Sequence, residues 1–113
     1  GIFYSLGEYL NALNFYQQAL AIRNQIGDKA GKGINLNNIG SVYHSLGEYP
    51  KALLHYQQAL AISKQIGDKA GEGTTLNNIG LAYQTLGEYQ QAEKTLFLAI
   101  EALESLREAS LTD

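Results

Sequence analysis

Apolar side chains recur at spacings of three and four along most of this chain, and the recurrence itself repeats. Leu36, Ile39, Tyr43 and Leu46 fall on one face of a helix. Gly40 lies on that face, where a missing side chain lets a neighbouring helix come close. A second stripe follows. Ala52, Leu53, Tyr56, Ala59, Leu60 and Ile62 mark the buried side of another helix. Glycines punctuate the stripes. Gly47 caps the C-terminus of the first helix and Gly67 ends the second. Asp68 is the expected N-cap of the helix after that, and Pro50 suits a first turn, where a missing N–H costs nothing. Links this short force successive helices to lie antiparallel.

The pattern predicts two kinds of helix in alternation. The first kind, A, covers about 29–46 and 69–86. The second kind, B, covers about 9–26, 49–66 and 89–108. Residues 1–6 read as the tail of an earlier A helix. Gly31, Gly33, Gly71 and Gly73 blur the starts of the A helices by several residues.

The elements form a repeat. Leu-Gly-Glu-Tyr occurs at 6–9, 46–49 and 86–89, and Gln-Gln-Ala-Leu-Ala-Ile at 17–22 and 57–62. Leu-Asn-Asn-Ile-Gly occurs at 36–40 and 76–80. Every recurrence is offset by 40 residues. One shared offset across several motifs marks a tandem array, in which each unit touches only its neighbours and stacking buries a continuous core. The units are a partial repeat at 1–34, then repeats at 35–74 and 75–113. About three repeats are needed for a stable stack. Two full units and most of a third predict marginal stability unless the ends are covered, as they would be in a homo-oligomer joined through them.

Composition narrows the function. Hydrophobic residues make up 45% and charged residues 17%, the balance of a folded, soluble chain. A net charge of −3 argues against nucleic acid as the main partner. The longest apolar run, 96–100, is far too short to span a bilayer. No signal peptide is visible, and Gly1 does not look like a natural N-terminus. Without cysteine there is no disulfide or thiol chemistry.

Candidate chemistry is sparse. The two histidines, His44 and His55, fall on different helices without a Ser or Asp at a telling spacing, so neither catalysis nor a metal site is expected, and no cofactor. Gly-Asp-Lys-Ala-Gly-Lys-Gly at 27–33 lacks the order of a phosphate loop and has no strand before it. Its repetition marks it as a connector. The tyrosines sit at motif positions, where core packing explains them better than base stacking. Glu8, Glu48 and Glu88 recur at the turn, where a negative charge complements the dipole of the B helix.

The spacing of Leu36, Ile39, Gly40, Tyr43, Gly47, Tyr49, Ala52, Tyr56 and Ala59 resembles the tetratricopeptide repeat (TPR). The third unit carries the same pattern from Leu76 to Ala99, and the first keeps Phe3, Gly7, Tyr9, Ala12, Tyr16 and Ala19. Two features depart from the family. The period is 40 residues rather than about 34, and the closing proline is missing. The longer form is similar to the repeats of kinesin light chains and of spindle-orientation adaptor proteins. The resemblance implies an all-α, right-handed α-solenoid of antiparallel helix hairpins. It also implies a cytoplasmic module that binds a protein or peptide ligand, with neither nucleic acid nor membrane as partner.

In that family the A helices line a concave groove. The positions one turn apart on the non-core face are Ile34, Asn37, Ser41 and His44, then Thr74, Asn77, Leu81 and Gln84, with Gly1 and Tyr4 continuing the row. The face is polar, uncharged and rich in amides, each both donor and acceptor for a peptide backbone. By resemblance, Asn37 and Asn77 are the leading ligand contacts, flanked by Ser41, His44, Leu81 and Gln84. Asn38 and Asn78 bond neighbouring helices equally well, so one Asn of each pair has a structural alternative. The Lys and Arg that clamp a C-terminal carboxylate in chaperone-type TPR grooves are missing, since Asn37 and Ser41 stand in their place. A different use of the array is assembly, with copies stacking end to end or packing on a linked domain. The ending from Glu101 to Asp113 replaces the Gly-Asp connector. It is similar to the segment that joins long-repeat arrays to caspase-like CHAT protease domains in bacterial signalling proteins, which implies a sensor or scaffold arm.

Overall fold

The computed structural model describes residues 5–112. Five helices follow one another: α1 (Leu6–Ile26), α2 (Lys29–Ser45), α3 (Tyr49–Ile66), α4 (Lys69–Thr85) and α5 (Tyr89–Thr112). Each packs on the next, with α2 on α3 and α4 on α5 as the tightest pairs. α2 also touches α4, so the two A helices lie side by side. The radius of gyration is 14.8 Å, against about 13 Å for a compact globule of this length, as expected of a stack.

The same junction recurs four times. Gly47 has φ 77°, donates its N–H to the His44 carbonyl, and is followed by Glu48, whose N–H reaches the Tyr43 carbonyl. Gly27, Gly67 and Gly87 repeat this pair of bonds. Two orphan carbonyls are thereby satisfied, and only glycine takes the left-handed conformation without strain. On the far side of the short links, Asp28 and Asp68 accept from the N–H of Gly31 and Gly71 at 2.8 and 2.9 Å. The predicted cap at Asp68 is therefore present. Such a cap contributes about 1 kcal/mol. Helices α2 and α4 start directly after these aspartates, despite their glycines.

Those glycines have packing roles. A Cβ on Gly33 would sit 3.2 Å from the Ile62 side chain, and one on Gly73 would sit 2.8 Å from Leu103. Close approach of A to B explains them, and it explains Gly40 most forcefully. A Cβ there would lie 2.6 Å from the Tyr56 ring and 3.1 Å from the Ala52 carbonyl. Around this contact lies the core of Ala52, Tyr56 and Ile79, with Tyr43, Leu53, Leu60 and Tyr83 packed against it. The predicted B stripe holds, except that Ser63 is also buried.

Two expectations need correction. Residues 5 and 6 are not the tail of an A helix. Ser5 is extended, with φ −70° and ψ 161°, and its hydroxyl caps α1 by accepting from the Glu8 N–H. The first Leu-Gly-Glu-Tyr is therefore helical, although the same four residues at 46–49 turn the chain and open α3. Here the Ser5 cap opens the helix ahead of Leu6, so these residues fall within its first turn. Gly1, Phe3 and Tyr4, expected on the earlier A helix, lie outside the described residues. At the other end α5 runs four residues beyond the expected 108, because no Gly-Asp breaks it.

Candidate interaction surface

The two A helices present the expected rows in parallel. On α2, Ile34 and Ser41 are exposed, while Asn37 and His44 are half-buried. On α4, Thr74, Asn77, Leu81 and Gln84 are all exposed. The second row is thus more accessible than the first. Neither row holds a charged side chain.

A hydrogen bond joins the helices. The Asn78 amide donates to the Asn37 carbonyl oxygen at 3.1 Å. The first Asn of one motif thus accepts from the second Asn of the next. Asn37 retains its own amide N–H groups for other partners. Asn77, the equivalent acceptor one repeat on, is exposed.

The remaining α2 positions are anchored from below. Ser41 accepts a bond from the Tyr56 hydroxyl at 3.2 Å. Burial pushes the Tyr56 phenol above its ordinary pKa, and the Ser41 bond offsets part of the rise. The His44 ring meets Tyr49 edge-on with centroids 5.1 Å apart, and its Nε2 is buried without a partner among the described residues. His55 lies elsewhere. Its Nδ1 is 2.8 Å from the Lys51 carbonyl, and its ring is 5.2 Å from that of Tyr43. The two histidines have separate surroundings, and no group of three or more metal-ligating side chains forms among the described residues. Nor is any helix among them long and apolar enough to cross a membrane.

A recess accompanies each row. Between α2 and α4 it measures about 160 Å³ and is bordered by Gly33, Ile34, Asn37 and Thr74. The equivalent recess one repeat on, bordered by Gly73, Thr74, Asn77, Ala99 and Leu103, measures about 540 Å³. Gly33, Ile34 and Asn37 of the first correspond to Gly73, Thr74 and Asn77 of the second at the 40-residue offset. The difference in volume reflects α4, which fills most of the first recess. Sequence reasoning missed this feature because depth depends on the stacking neighbour and not on the lining residues.

Comparison with known proteins agrees with the geometry. The tetratricopeptide repeat family model matches residues 1–65 and 55–105. No curated protein matches the chain. Among solved structures, the TPR domain of Arabidopsis FLU superposes with a TM-score of 0.80 at 24% identity, over 87% of this chain and 82% of that one. At that identity the likeness speaks for the fold. Tandem hairpins at a fixed offset, Schellman junctions, close-contact glycines on the A helices and the family match converge: the chain belongs to the tetratricopeptide repeat family, whose typically non-enzymatic modules generally mediate protein–protein interactions.

Proposed function

We propose that the α2–α4 face binds an extended or helical segment of a partner protein. One observation carries the reading: two adjacent A helices expose uncharged rows that include Ser41 on α2 and Asn77, Leu81 and Gln84 on α4. Amides and hydroxyls offer both halves of a backbone hydrogen bond. Leu81, 44% exposed, supplies an apolar contact among them. Asn37 contributes its amide N–H groups while its carbonyl oxygen holds Asn78. His44 flanks the row at its far end. The lack of charge favours a ligand recognised along its backbone over one held by a terminal carboxylate.

The test is a peptide selected from a random display library on the intact chain. Replacing Leu81 by Asp and Gln84 by Ala should weaken that peptide at least about tenfold, the cost of a desolvated contact at the centre of a small interface. Circular dichroism would verify that the variant remains folded. Selected peptides that bind the variant as well as the parent would remove this face from consideration.

A further inference from the structure

Helix α5 departs from its counterpart α3 in a pattern that the groove does not explain. Leu53, Gln57, Ser63 and Gly67 of the α3 segment correspond to Glu93, Phe97, Leu103 and Arg107. Leu60 becomes Ile100, a conservative change. In α3, Leu53 and Leu60 pack beside Ile79 of the next A helix. A further A helix laid on α5 in the same way would bring apolar side chains onto the carboxylate of Glu93. That disfavours the contact unless the charge is paired. Another repeat of the same kind is therefore a poor occupant for this face.

The changed positions are related by a symmetry of their own. Glu93 lies seven residues before Ile100 and Arg107 seven after it, while Phe97 and Leu103 lie three before and three after. On a helix, steps of three, four and seven stay on one face. This face is exposed: Phe97 at 59%, Ile100 at 53% and Leu103 at 47%. Among the described residues, neither Glu93 nor Arg107 belongs to an ion pair. An apolar centre flanked by opposite charges at equal distances is self-complementary under a two-fold rotation.

We infer that α5 is a homodimerisation helix, pairing with α5 of a second copy in antiparallel register centred on Ile100. In that register Glu93 of each copy stands opposite Arg107 of the other, giving two ion pairs at the ends of the contact. Phe97 meets Leu103 of the other copy, and Ile100 meets itself. The paired stretch is about 21 Å long at 1.5 Å per residue, well short of a standard interface of about 1,600 Å². The dimer is accordingly a weak, reversible one. The seam adjoins the α4 row, because Asn77 borders a recess with Leu96, Ile100 and Leu103 and Gln84 borders another with Glu93, Phe97 and Ile100, so the oligomeric state is measured with no peptide present.

Sedimentation equilibrium tests the register by charge reversal. The parent chain should show a monomer–dimer equilibrium. Glu93→Arg alone, or Arg107→Glu alone, places like charges together twice and should weaken the dimer at least about tenfold. The double variant Glu93→Arg/Arg107→Glu should recover to within about threefold of the parent. The chain has no native cysteine, so Ile100→Cys should give a disulfide-linked dimer on mild oxidation, whereas Gln57→Cys on α3 should not. A monomer at about 1 mM, open-ended polymers, or a double variant no better than the single ones would each overturn the proposal.

Discussion

The α2–α3 and α4–α5 hairpins share a skeleton yet solve their packing differently. In the first, Gly40 faces the ring of Tyr56, whose hydroxyl is tied to Ser41. In the second, the three equivalent positions are Gly80, Leu96 and Leu81, and Gly80 faces the end of the Leu96 side chain. A polar pair has been exchanged for two leucines, both members at once. The glycine stays because either partner presses equally close. The lesson is that the repeat conserves a distance between helices and not the chemistry that fills it. A rigid ring and a flexible chain end are interchangeable against glycine, but they should respond differently when that distance is challenged.

Adding a methyl group at each glycine offers the largest contrast. Gly40→Ala would force a Cβ to 2.6 Å from the Tyr56 ring and 3.1 Å from the Ala52 carbonyl. Tyr56 is buried and pinned by its hydroxyl, and the backbone carbonyl cannot turn aside. Overpacking of this kind costs about 1–3 kcal/mol, and the better helix propensity of Ala returns at most about 1. A net loss of about 2 kcal/mol is expected in urea unfolding. At Gly80 the obstacle is the Leu96 side chain at 2.5 Å, while the nearest backbone atom, the Ala92 carbonyl, is 3.6 Å away. Leu96 is only half-buried, and a branched aliphatic chain turns aside more readily than a ring pinned by its hydroxyl. Gly80→Ala should therefore cost under about 1 kcal/mol. Equal losses at the two sites would show that helix spacing, and not the partner side chain, sets the penalty.

A smaller contrast runs the other way. Asn35 and Thr75 are equivalent and both buried, but the Asn35 Nδ2 has no partner among the described residues. An unsatisfied buried donor costs about 1–3 kcal/mol. Asn and Thr have similar helix propensities, so Asn35→Thr removes the donor without a backbone penalty. The variant should gain about 1 kcal/mol and raise the urea midpoint with an unchanged slope. A loss of stability would mean that the amide is bonded in solution.

Much of this architecture was legible from periodicity and punctuation. The stripe from Leu36 to Leu46, the glycines at 47 and 67 and the cap at Asp68 placed α2, α3 and α4 within a residue of their observed ends. These signals are local, and helix boundaries follow local hydrogen bonding. Three features were not local. Leu-Gly-Glu-Tyr lies within a helix at 6–9 but spans the α2–α3 junction at 46–49, so these four residues alone do not set the conformation. The Asn37–Asn78 bond depends on the stagger between α2 and α4, which no single helix encodes. From spacing alone, either Asn of each motif was free to take the inter-helix role. The half-burial of Asn37 beside the exposure of Asn77 likewise depends on whether a repeat is stacked above.

The smallest expected effect belongs to the polar pair itself. Tyr56 has a pKa raised above 10.0 by burial, with the Ser41 bond acting against the rise. The ionised phenol is the form that burial disfavours. Below pH 10 the phenol is protonated in folded and unfolded chains alike, and its contribution to stability is intact. As pH rises past 10.0 the unfolded chain releases this proton first, so it binds fewer protons than the folded one and stability falls until the folded group also ionises. Tyr56→Phe keeps the ring against Gly40 and deletes the titrating group. Near neutral pH it should lose about 0.5–1 kcal/mol for the bond to Ser41. Above pH 10 its thermal midpoint should decline less steeply than the parent's. The α4–α5 hairpin has leucines at both positions and contributes no such term. Parallel declines in the two proteins would assign the alkaline loss to groups other than Tyr56 and leave the ring, not its hydroxyl, as what distinguishes the first hairpin.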